Sequence, residues 1–279
     1  MIAQEPRLTV GIISRATGIS GTLNGVFRVD PEQVPAAERT APLQGPFGVV
    51  PDGGKPVLRA GSVEIRPAGR TLSLVPEAGG DFTLNDVTIG VAFHWERREA
   101  QTFSGGLTLL SPDDGTLTAI NVVPLETYLA SVISSEMSPL APPEFLKAHA
   151  VASRSWLGAM LARRTGPEPA ARPEPGPGDV SRVSPLPPAE DGELPEIRRW
   201  TDREAHVHFD VCADDHCQRY QGTTKIASPA AAAAVSATRG AFLTHGGRIC
   251  DARYHKACGG LTEPARNVWA EVPIPYLTS

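Results

Sequence analysis

The stretch NVVPLETYLASVISSEM, residues 121–137, is where the chain changes its period. Leu125, Tyr128, Leu129, Val132 and Ile133 recur at three- and four-residue spacing, the pattern of one apolar helix face. Pro124 suits the first helical turn, where its missing N–H has no partner to lose. The next position on that stripe is Glu136. If the helix runs that far, its carboxyl faces inward at the helix C-terminus. Partial burial and the negative helix end both favour a protonated acid, the state a general acid needs. From spacing alone the plainer reading is a glutamate that points to solvent after the chain turns at Ser138-Pro139.

Working outward, PPEFLKAHAVASRSWLGAML predicts a second helix from about Pro143 to Arg163. It is apolar around most of its circumference and therefore buried. Lys147 and Arg154 lie seven residues apart and project from nearly one face. Cations on such a helix need partners or a path to solvent; Glu136 and polar substrate groups are the candidates.

Upstream, residues 7–120 read as β-rich: LTVGIIS, GVFRVD, SVEIRPAG, TLSLVPE, VTIGVAF and GLTLL are separated by Gly, Pro, Asp and Asn. Strands followed by helices make the expected class α+β, with a β-rich part over 1–104 and a second region over 105–279. Within that region, residues 165–196 hold nine of the chain's 27 prolines, which reads as an extended or disordered insertion. Beyond it, SPAAAAAVSATRG predicts a short helix with Ser228 as N-cap, Pro229 in the first turn and Gly240 as its stop. Two strand-like runs follow around AFLTHGGRICDARYH.

The 279 residues, 41% hydrophobic and 20% charged, suit a globular protein. A net charge of −5 gives no case for a nucleic-acid partner. No apolar run approaches the roughly 20 residues of a membrane helix. The numbered chain starts without the basic and apolar regions of a secretory signal.

HVHFDVCADDHCQRY, residues 206–220, concentrates three of seven histidines and two of four cysteines. His206, His208, Cys212, His216 and Cys217 offer enough imidazole and thiolate for a tetrahedral zinc site. The alternatives are a Cys212–Cys217 disulfide in an oxidising compartment or two unrelated thiols.

Together these blocks resemble the SpoIID/LytB family, named for a sporulation protein that degrades peptidoglycan and for an enhancer of a cell-wall amidase. The resemblance rests on GGLTLL, the 121–161 segment, FDVCADDHCQRYQG, AVSATRGAFLTHGGRICDARYHKACGGLTEPARNVW and PYL. It covers roughly residues 105–279, broken by the Pro-rich insertion. It implies a lytic transglycosylase acting on peptide-stripped glycan, with Glu136 of the S-E-M motif as acid and then base. A single carboxyl would serve both steps, unlike the paired carboxylates of most glycosidases.

The resemblance implies substrate contacts from Lys147, Arg154, Gln218, Tyr220, Tyr254, His255, Gly259, Gly260 and Thr262. Cys258 stands where the family usually has Ser. For a metal it favours His206 over His208, with Cys212, His216 and Cys217, in a structural rather than catalytic role. It implies an extracytoplasmic protein whose partners are peptidoglycan strands and, on the LytB side, a cell-wall amidase. The alternative function is a glycan-binding enhancer without turnover; a zinc hydrolase would need an open metal site beside a base.

Overall fold

The computed structural model describes residues 5–34, 42–77, 79–91, 93–138, 140–165, 206–226, 229–255, 259–264 and 274–278. The insertion beyond Thr165, Ser228 and Cys258 lie outside these residues. The fold is α+β. Among the described residues, ten strands precede the first helix: β1 (Arg7–Ala16), β2 (Ile19–Val29), β3 (Leu43–Asp52), β4 (Lys55–Ala60), β5 (Val63–Ile65), β6 (Thr71–Pro76), β7 (Asp81–Ile89), β8 (Arg97–Ser104), β9 (Gly106–Leu110) and β10 (Leu117–Pro124). Then come α1 (Leu125–Glu136), α2 (Pro143–Thr165), β11 (Val211–Cys212), α3 (Pro229–Ala237), and a small hairpin of β12 (Thr244–His245) and β13 (Arg248–Ile249).

The chain divides into two compact units. The first comprises residues 1–154 with 206–242; the second comprises 155–205 with 243–279. The first unit holds one sheet in the order β11-β1-β10-β9-β6-β2-β3-β4-β5, with β7 joining β2 to β8. Among the described residues, only the β1–β11 pair is parallel. A boundary at 104/105 therefore falls inside the sheet: β10 pairs with β1 along nearly its whole length, and β9 pairs with β6. Alternation explains the core, where Leu8, Val10, Leu23, Phe27, Leu72, Leu74, Phe82, Leu84 and Phe103 are buried.

β10 runs straight into α1. Pro124 stays extended and acts as N-cap, one position earlier than a first-turn proline, because its carbonyl side still belongs to the strand. All five stripe residues of α1 are buried. α1 packs on α3, whose Ala231, Ala234 and Val235 face inward. Small residues there allow close helix approach. Among the described residues, no helix is long and apolar enough to cross a membrane.

Candidate active site and metal-ligand cluster

α1 ends at Glu136, where Met137 turns extended. The Glu136 side chain is 17% exposed, so the stripe does carry it to the inner side. Its Oε2 lies 3.1 Å from Nε2 of His149, a side chain only 4% exposed. Its Oε1 accepts the Arg219 peptide N–H at 3.0 Å. The carboxyl is thus held on both oxygens while part of it still meets solvent. His149 was missed by sequence reading. The available signal was a histidine three residues after Leu146 on the buried face of α2.

The two cations of α2 have other partners. Lys147, 38% exposed, pairs with Glu144 one turn back at 2.7 Å. Arg154 is fully buried. Its guanidinium grips Glu126 through two hydrogen bonds of 3.0 and 2.7 Å. It also donates to the carbonyls of Val235 (3.2 Å) and Ala241 (3.3 Å) and to Thr238 Oγ1. Arg154 therefore ties α1, α2 and α3 together. Every donor nitrogen of this buried fork is engaged within the protein, which sets it apart from the exposed Lys147.

Residues 218–221 lie along α1 and are fixed at each step. Tyr128 OH donates to Gln218 Oε1 (3.3 Å), whose amide donates to the Ser153 carbonyl (3.4 Å). The Gln221 N–H donates to Ser131 Oγ at 3.2 Å. Tyr220 stacks on Tyr128 with centroids 5.0 Å apart and donates to Asn121 Oδ1 at 2.7 Å. Burial pushes its phenol well above the ordinary range. Gln218 and Tyr220 are both buried, and their polar groups find partners inside the protein. What the segment contributes at the site is the backbone N–H of Arg219.

The segment just before it holds the metal-ligand candidates. The donor atoms of His206, Cys212, His216 and Cys217 all lie within 4.8 Å of one another. His208 is exposed and outside the group. β11 places Cys212 beside Gly11 of β1. Gly11 is required: a Cβ there would come within 2.5 Å of the Phe209 ring, which packs against His206 at 4.6 Å. Asp210 anchors the strand entry by accepting from the Thr9 N–H (2.9 Å) and hydroxyl (2.7 Å). Both cysteines are free thiols here, not a disulfide. Hydrogen bonding with Cys212, then with His206 and His216, holds the Cys217 thiol well below its usual range. The same Cys217 contact, with burial, holds Cys212 well above its own.

The remaining sequence candidates belong to the second unit. There Tyr254 is half-buried, while His255, Gly259, Gly260 and Thr262 are exposed. A Cβ at Gly259 or Gly260 would meet open space, so no close backbone approach explains the pair; Gly260 instead needs its positive φ of 106°.

Residues 113–245, which carry Glu136, His149 and the His/Cys cluster, match the family model for SpoIID, described as Stage II sporulation protein. This stretch resembles the SpoIID family. The chain is 27% identical over 161 residues to Stage II sporulation protein D of Bacillus amyloliquefaciens, covering 58% of this chain and 39% of that protein. It is 26% identical over 192 residues to an uncharacterised protein of Brachyspira hyodysenteriae, covering 67% of this chain and 40% of that one. The chain thus spans about two fifths of the length of these curated relatives. No solved structure matches it significantly. SpoIID is a cell-wall-related family.

Proposed function

We propose that the protein is a peptidoglycan lytic transglycosylase that cleaves peptide-stripped glycan between N-acetylmuramic acid and N-acetylglucosamine. The observation that supports this reading is the setting of Glu136, a largely enclosed carboxyl on the S-E-M motif, gripped from two sides and still open to solvent. A peptide N–H can only donate, so Arg219 keeps Oε1 an acceptor. Oε2, beside His149, is then the oxygen that carries the proton. Glu136 gives that proton to the glycosidic oxygen as its bond to muramic C1 breaks. The resulting carboxylate takes the proton of the muramic 6-hydroxyl as that oxygen bonds to C1. Glu136 is protonated again, no water is consumed, and the product ends in a 1,6-anhydro sugar. His149 fixes the carboxyl rotamer and is a positioning residue.

We also propose a structural zinc at His206, Cys212, His216 and Cys217. With ordinary Zn–N and Zn–S bonds, a tetrahedron sets nitrogen and sulfur about 3.6 Å apart. Three of the four N···S distances are 3.3, 3.5 and 3.8 Å, and the fourth is within 4.8 Å. A bound ion would supply a crosslink at the base of the loop that presents the Arg219 N–H. Action on peptidoglycan places the protein outside the cytoplasm.

The test is mass spectrometry of muropeptides released by wild-type protein and by Glu136→Gln. The proposal expects anhydro-muramic ends from wild type and none from the variant. Strand binding without cleavage by wild type would favour an enhancer of a cell-wall amidase instead.

A further inference from the structure

An aromatic loop of the β-rich part sits one residue away from the candidate acid. β7 ends where Gly90 takes a φ of 71°, and the chain makes two consecutive turns, Phe93 N–H to Gly90 and Glu96 N–H to Phe93, before β8. Phe93 and Trp95 stack at 5.3 Å with ring planes 16° apart. The Arg219 guanidinium lies 4.7 Å over the Trp95 ring. Gly90 is packed so close that a Cβ would sit 2.2 Å from that ring. The Val91 N–H donates to Asp214 at 2.9 Å, and Arg219 is itself braced by two hydrogen bonds to Asp215. Trp95 is thus clamped, and Phe93, 39% exposed, carries the accessible aromatic surface.

Arg219 touches both places: its side chain holds Trp95 and its backbone N–H holds Glu136. We propose that Phe93, backed by Trp95, is a sugar-stacking subsite that seats a pyranose of the glycan strand being cleaved at Glu136. This rests on the glycan reading above and adds a binding site outside the matched residues 113–245.

Size and chemistry favour a sugar. An aromatic side chain contributes roughly 150–250 Å² when fully covered. Two partly covered rings fall short of the roughly 800 Å² per partner of a protein interface. They match one or two pyranoses, whose axial C–H face is apolar and whose hydroxyls point outward. His94, Glu96 and Arg98, all exposed, lie within three residues of Trp95 along the chain and bring polar groups to the same stretch. The clamp also pre-orders the platform, so little is lost on binding.

The experiment measures the affinity of end-labelled, peptide-free glycan strands by fluorescence anisotropy, with Glu136→Gln protein so that strands are not consumed. Adding Phe93→Ala should weaken binding about tenfold, as expected for losing one aromatic contact. Adding Phe93→Tyr should restore it to near the starting value. Val75→Ala, an exposed apolar residue on β6, serves as control and should leave binding unchanged. Strands held equally tightly by the Phe93→Ala protein overturn the subsite while leaving the glycan reading intact. Strands not held even by the Glu136→Gln protein with Phe93 present remove the glycan reading, and the subsite with it.

Discussion

Replacing Arg154 by Met separates a structural cation from a substrate-binding one. The guanidinium is fully buried, and its partner Glu126 is only 15% exposed. Removing one member leaves the other as an uncompensated buried charge, which costs about 3–5 kcal/mol. The carbonyls of Val235 and Ala241 and the Thr238 hydroxyl lose a donor as well. Against a total stability of about 5–15 kcal/mol this is a large fraction. With a urea slope of about 2–3 kcal/mol per molar, the unfolding midpoint should fall by about 1–2.5 M. Urea titration followed by circular dichroism measures it. The double variant Arg154→Met/Glu126→Leu, which removes both charges, should recover much of the loss. Lys147→Met should change stability by less than about 1 kcal/mol, since its pair with Glu144 is solvent-exposed. An Arg154→Met protein with an unchanged midpoint but weakened glycan binding would refute the structural assignment.

Three further outcomes follow from the site. His149→Ala should lower kcat/KM on glycan about ten- to a hundredfold, the worth of one charge-assisted hydrogen bond of about 1.5–3 kcal/mol, with His149→Gln recovering most of it. If the His/Cys cluster holds zinc, a chelator should lower the melting temperature, and removal should be easier at low pH because the ligands must be deprotonated. Elemental analysis without metal and melting indifferent to chelator would remove the ion. The Tyr220 phenol, raised by burial, keeps its proton in the folded state when the unfolded chain has lost it. Stability should therefore fall as pH rises above the ordinary tyrosine range of about 10. Tyr220→Phe should abolish that part of the slope, as read from urea midpoints against pH.

The sequence foretold those parts of the site that lie within one periodic element. Five apolar positions on α1 put Glu136 next on the inward stripe, because a helix fixes direction from spacing, but whether the helix ran that far was not legible from spacing alone. The His/Cys donors were visible since four of them fall within twelve residues of one loop. The rest depends on contacts between distant segments. Arg154 resembles a ligand-binding cation until α3, some 80 residues later, closes over it. Gln218 and Tyr220 are polar enough to suggest a groove, yet Tyr128, Ser153 and Asn121 satisfy them internally. The Arg219 contact is a backbone N–H, which no side-chain pattern can announce. Phe93 fell in VTIGVAF, which reads as a continuing strand; Gly90 ends β7 and turns the aromatic residues into a loop.

Digestion of peptide-free glycan strands in ¹⁸O-water, with mass spectrometry of the new ends, tests the central claim most directly. Muramic O6 is the nucleophile in the Glu136 mechanism, so wild-type protein should yield anhydro-muramic ends free of ¹⁸O, and Glu136→Gln should yield no new ends. New reducing ends carrying ¹⁸O would mean that water attacks C1, and would contradict the account.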